Sequence, residues 1–148
     1  MSSVRSQILD AILAALNGTG TPAPAERFRT TNVEMADLPR ILVHPATEDI
    51  QKVSPNPRSP LMERRVVFKL DLLATFTGTT SPDQAIDPLL VWVTSQIFKD
   101  PGFGARAIET QETRLEWDAE TVDSGLAKCT VEISVRYHTK TTDQTVKA

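Results

Sequence analysis

Apolar side chains recur at helical spacing from the start of the chain. Val4, Ile8, Ile12 and Leu16 fall four residues apart with Leu9 and Leu13 beside them, which predicts an amphipathic helix. Ser3 suits its N-cap, and Gly18 after Asn17 suits its stop. Arg5, Gln7 and Asp10 take the polar side. The segment Thr19 to Ala25 contains two prolines and reads as a connector. Phe28 then opens a weak pattern for a short edge strand.

Alternation of period two takes over further on. Arg40 to Val53 reads as a strand whose start, Ile41-Leu42-Val43, is apolar enough for burial on both faces. Pro45 confines that strand to an edge or a bulge. Ser54 to Pro60 holds three prolines and reads as a loop. Val66, Phe68, Leu70, Leu72, Ala74 and Phe76 then alternate with Val67, Lys69, Asp71, Leu73 and Thr75, the clearest strand signal so far. One loop separates these two strands, so a hairpin with a Pro-rich tip is expected.

A second helix is announced by Ser81-Pro82-Asp83-Gln84, which supplies a cap, a proline at the first helical position and a capping box. Ile86, Leu89, Leu90, Val93 and Ile97 form its core stripe. Pro88 either kinks the helix or restarts it with Asp87 as cap. Val91, Trp92 and Phe98 fall outside the stripe, so this helix calls for a second apolar partner beyond its own sheet, and a neighbouring subunit would serve. Asp100-Pro101-Gly102 ends it. A second hairpin follows. Its first arm, Ala107 to Asp118, carries Leu115 and Trp117 on one face. Its second, Leu126 to His138, alternates Ala127, Cys129, Val131, Ile133, Val135 and Tyr137 with Lys128, Thr130, Glu132, Ser134, Arg136 and His138. The segment Ala119 to Gly125 is the turn, and the polar tail 139–148 reads as flexible.

Helix, hairpin, helix, hairpin predicts an α+β fold: a mostly antiparallel sheet of four to five strands from two hairpins, with two helices packed on one face. The 148 residues suit a single domain with a sizeable core. The net charge of −3 argues against extensive phosphate neutralisation. The lone cysteine, Cys129, excludes an internal disulfide and fits a reducing compartment. No apolar run reaches membrane-spanning length, and the N-terminus lacks a secretory pattern, so a protein kept inside the cell is expected.

Candidate chemistry is sparse. His44 and His138 have no His or Cys at ligand spacing and read as strand histidines. Cys129 sits on the apolar face of its strand and reads as a structural thiol. Glu116, Asp118, Glu120 and Asp123 cluster at a hairpin end. They can bind a divalent cation through oxygen, although a solvated turn explains them as well. Pro101-Gly-Phe-Gly104 lacks the partners of a phosphate loop. Arg58, Met62, Arg64 and Arg65 flank the Pro-rich tip and suit a protein contact better than nucleic acid, since no aromatics interleave with them. With Val91, Trp92 and Phe98 they form the candidate interface set. No catalytic, cofactor or metal residues are assigned.

Taken together, VRSQILDAILAAL, MADLPRILVHPATED, RRVVFKLDLLATF, IDPLLVWVTSQIFKDPGFG and RLEWDAETVDSGLAKCTVEISVRYHT give the chain a familiar order. From about residue 4 to 139 it resembles the tail terminator proteins of long-tailed bacteriophages, the minor-tail-protein U type. The long SPNPRSP loop and Pro88 depart from that pattern and leave the tail subtype open. The resemblance implies a non-enzymatic subunit that forms a ring with itself, a hexamer, on the end of the tail tube. There it stops polymerisation and offers a surface to connector and neck proteins. The implied site is the tail–neck junction of a virion assembled in a bacterial cytoplasm, with DNA only passing through the channel and no membrane or cofactor. Three alternatives stand beside it: a head–tail joining protein, a small metal-dependent nuclease using Glu116, Asp118 and Asp123, and a peptide-binding module at a sheet edge.

Overall fold

In the computed structural model, residues 2–28, 37–52, 61–118, 125–140 and 143–147 are described. Helix α1 (Val4–Leu16) is followed by strands β1 (Ala25–Arg27), β2 (Arg40–Lys52) and β3 (Leu61–Thr75), helix α2 (Pro82–Ile97), and strands β4 (Glu109–Asp118), β5 (Leu126–Lys140) and β6 (Asp143–Lys147). The sheet runs β1-β2-β3-β5-β4, with β6 added beside β5. All pairings are antiparallel except β1 with β2. The architecture is the expected α+β one: a mostly antiparallel sheet with both helices packed against it.

Local chemistry explains the helix ends. Ser3 Oγ accepts from the Ser6 amide at 3.1 Å, and the Gln84 side chain accepts from the Ser81 amide at 3.1 Å, as the cap signals predicted. Asn17, the C-cap of α1, exchanges two 2.8 Å hydrogen bonds with the backbone of Ala25, which ties the helix end to β1. This tie draws Ala25 out of the presumed connector, so β1 lies just before Phe28 rather than beginning there. α2 runs unbroken through Pro88, whose ring is exposed. The restart at Asp87 does not occur. Phe103 takes φ 50° in the turn after α2, a strained value for a bulky residue. Its side chain is buried in the core.

The core lies between the helices and the inner sheet face. Ile8, Ile12 and Leu16 of α1 and Ile86, Leu89, Val93 and Ile97 of α2 meet Phe68, Leu70 and Leu72 of β3 and Cys129, Val131, Ile133 and Val135 of β5. Each fully buried Leu, Ile or Phe contributes about 1.5–3 kcal/mol of transfer free energy.

Apart from the shift of β1, only the tail departs from expectation. β2, expected over Arg40 to Val53, runs from Arg40 to Lys52, with a bulge between Pro45 and Thr47 that resets its register against β3. β1 pairs only as far as Val43, so Pro45 lies beyond the last residue of β2 that β1 pairs with. The tail expected to be flexible instead forms β6. β3 already occupies one side of β5 up to Lys140, whereas β4 begins only opposite Arg136. The last residues of β5 therefore have a free edge, and β6 pairs there at Thr139 and Lys140.

Candidate interaction surface

α2 leans on β3 and β5 and stops short of covering the outermost strand β4. On β4, Leu115 pairs with Val131 and Trp117 with Cys129, so both point to the inner face, as their alternation predicted. With no helix above them they stay 42% and 48% exposed. Val91 and Phe98 lie two turns apart on the neighbouring face of α2 and are 63% and 38% exposed. Between them Thr94 Oγ1 reaches Glu112 Oε2 at 3.4 Å, which joins this helix face to β4. The result is an apolar strip made of two exposed pairs, one at α2 and one on β4, with the polar Thr94–Glu112 contact between the elements. A groove of about 270 Å³ lies at its Trp117 end, lined by Pro82, Asp83, Ile86 and Ala127 among others.

Of the residues singled out from sequence, Val91 and Phe98 belong to this strip. Trp92 does not. It turns toward α1, where its indole N–H donates to the Leu16 carbonyl at 2.9 Å, so α1 is the second partner that α2 required. Alternation puts Leu115 and Trp117 on one face of their strand; the strand order shows that β4 is the edge and leaves them uncovered.

The hairpin candidates divide similarly. Arg65 is exposed on the outer face and Met62 half-buried on the inner one. Arg64 is a correction: only 7% exposed, it is occupied inside the molecule. Its Nε donates to Thr139 Oγ1 at 3.0 Å and its Nη1 lies 3.4 Å from Glu48 Oε2. Glu48 also accepts from Arg5 at 2.7 Å and from the Tyr137 hydroxyl. Burial, reinforced by Glu48, pushes the Tyr137 hydroxyl pKa up. Arg58 lies outside the described residues.

The outer face is polar and laid out like a checkerboard. Asp71, Thr130 and Glu116 form one rung, with Thr130 Oγ1 donating to Asp71 Oδ1 at 2.8 Å, and Asp118 pairs in register with Lys128. Lys69 sits 3.6 Å from Glu132. A broad open groove of about 650 Å³ runs over these residues, bordered by His44 and Phe28, whose rings are 4.9 Å apart. Arg136 bridges Glu63 and Glu109 at 3.0 Å each, and its hydrogen bond holds the Glu63 carboxyl below the usual range. Among the described residues no three His, Cys, Asp or Glu side chains converge to hold a metal ion. Glu120 and Asp123 of the acidic group lie outside them. His138 lies 3.5 Å from Glu63, a strand-end contact. Cys129 is buried, and desolvation raises its thiol to about 11, the environment of an inert thiol. None of the described helices is long and apolar enough to cross a membrane.

No protein-family model matches the chain, and no curated protein matches it in sequence.

Proposed function

We propose that this protein is a non-enzymatic phage tail assembly subunit of tail-terminator type. In this reading it forms a ring, a hexamer, on the end of the tail tube, halts tube polymerisation and presents a surface to connector and neck proteins. It acts at the tail–neck junction of the virion, and DNA passes through the ring without being held.

The observation that carries the proposal is the strip of Val91, Phe98, Leu115 and Trp117. Four large apolar side chains on two neighbouring elements, each more than a third exposed, make a surface suited to cover by another protein. Among the described strands β4 is the edge of the sheet, and its outer side adds backbone groups that a partner can satisfy. The outer face supports the DNA part of the reading: its carboxylates and cations are interleaved or paired, which suits a surface along which phosphates slide.

Electron microscopy of tail tubes assembled with and without the purified protein tests the proposal. Tubes of uniform length only in its presence are expected. Overlong tubes regardless of its addition would end the terminator reading, and binding to filled heads but not to tubes would replace it with a neck role. Hydrolysis of DNA with Mg²⁺ that disappears in Asp118→Asn would replace it with a nuclease.

A further inference from the structure

Asn17, the C-cap of α1, is followed directly by Gly18. An asparagine before a glycine carries its own cyclisation partner. The glycine nitrogen can attack the side-chain carboxamide carbon, and no Cβ obstructs the approach. The other asparagines of the chain lack this advantage. Asn32 precedes the β-branched Val33, and Asn56 precedes Pro57, whose nitrogen has no proton to give up. In the folded protein both reacting groups of the Asn17–Gly18 pair are engaged elsewhere. Asn17 Nδ2 donates to the Ala25 carbonyl and Asn17 Oδ1 accepts from the Ala25 amide, each at 2.8 Å. The Gly18 N–H is turned toward the Ala15 carbonyl, 3.4 Å away. Asn17 is exposed, so water reaches it; the tie to Ala25 is what holds its side chain away from the reaction.

We infer that Asn17 is a deamidation site gated by its tie to Ala25. When α1 and β1 part locally, a base from solvent takes the Gly18 amide proton and the nitrogen attacks Asn17 Cγ. The new N–Cγ bond closes a cyclic imide. The Cγ–Nδ2 bond breaks, and Nδ2 takes a proton from solvent and leaves as ammonia. Water then opens the imide at either carbonyl, which leaves aspartate or isoaspartate at position 17. No oxidant or reductant takes part.

The product cannot restore the tie. A carboxylate has no N–H, so an acceptor oxygen would face the Ala25 carbonyl oxygen. Isoaspartate also adds a methylene to the backbone where α1 ends. β1 is only three residues long, so loss of this tie loosens an edge strand that has few other bonds. Deamidation is thus a one-way mark left by opening of the α1–β1 contact, and it is independent of the tail reading.

Mass spectrometry of the full chain tests the inference. The folded protein is held in mildly alkaline buffer beside the same chain in urea and a synthetic peptide spanning Ser6 to Arg27, the tryptic fragment in which Asn17 is the single asparagine. Deamidation adds about 1 Da, and fragmentation locates it. The peptide and the unfolded chain should react at Asn17 at least about tenfold faster than the folded protein, because the reaction there waits for opening. Equal rates, or an Asn17 that stays intact in urea, overturn the inference. Deamidated wild-type chains, separated by their added negative charge, and the variant Asn17→Asp are then followed by hydrogen exchange. Faster exchange over Ala25 to Arg27 is expected, with the protection of β3 and β5 unchanged. Wild-type protection of β1 in the separated chains would show that the tie does not hold this edge and would overturn the gating.

Discussion

The indole N–H of Trp92 in α2 donates to the carbonyl of Leu16, the last residue of α1, at 2.9 Å. A helix end leaves its final carbonyls without intrahelical partners, and here a side chain from the second helix satisfies one of them. The tryptophan that looked superfluous to its own helix is therefore the clasp between the two helices.

Trp92→Phe should consequently lower the stability of the monomer, by about 1–2 kcal/mol from the lost hydrogen bond and the unsatisfied carbonyl. Urea unfolding at a concentration where the protein is monomeric measures this. An unchanged midpoint would mean that the indole works outside its own chain.

The Glu48 cluster should be unequal in its parts. The Glu48 side chain is 14% exposed and that of Arg64 8%, so Glu48→Gln leaves a buried guanidinium uncompensated and is expected to cost about 3 kcal/mol. The Arg5 side chain is 35% exposed, and Arg5→Gln should cost less than about 1 kcal/mol. Chemical denaturation of both variants checks the order, and equal losses would contradict it.

Glu63 predicts an acid-side dependence. The Arg136 hydrogen bond, the largest influence on it, lowers its pKa from 4.5 in the folded protein. The folded value lies below the unfolded one, so this stabilisation is present above about pH 4.5 and fades as pH falls through the folded value. Glu63→Gln should be less stable than the wild type at neutral pH, and the gap should close in acid. Urea melts from about pH 7 to about pH 3 follow it; a gap that widens in acid would reverse the assignment.

Cys129 predicts an alkaline dependence. Burial raises its thiol from 9.0 to about 11, so the neutral thiol favours the folded state below pH 9 and that contribution is lost as pH rises through about 11. Over that window Cys129→Ala should lose less stability than the wild type. In the native wild type the thiol should react with a disulfide reagent far more slowly than in urea.

Much of this fold was legible in the residues themselves. The periods of α1, β3, α2 and β5, the caps at Ser3 and Ser81, and the two hairpins follow from short-range rules, because alternation and capping are properties of neighbouring positions. The extent of β2 was legible as well, but not what holds its far half, since Glu48 and Asp49 are poor strand formers kept in place by pairing with Val66 and Arg65 of β3. Likewise β6 depends on a free edge of β5 that only the assembled sheet possesses.

The interaction surface divides along the same line. Sequence by itself determined that α2 carries more apolar side chains than one contact face needs and that Leu115 and Trp117 share a side of their strand. It could not assign each of these to a partner, because burial depends on which strand ends up outermost and which helix lies alongside. The tertiary structure decided that: α1 takes Trp92, Glu48 takes Arg64, and the position of β4 at the sheet edge leaves Leu115 and Trp117 uncovered beside Val91 and Phe98. Periodicity is fixed by the local geometry of the backbone, whereas exposure is fixed by neighbours far away in the chain.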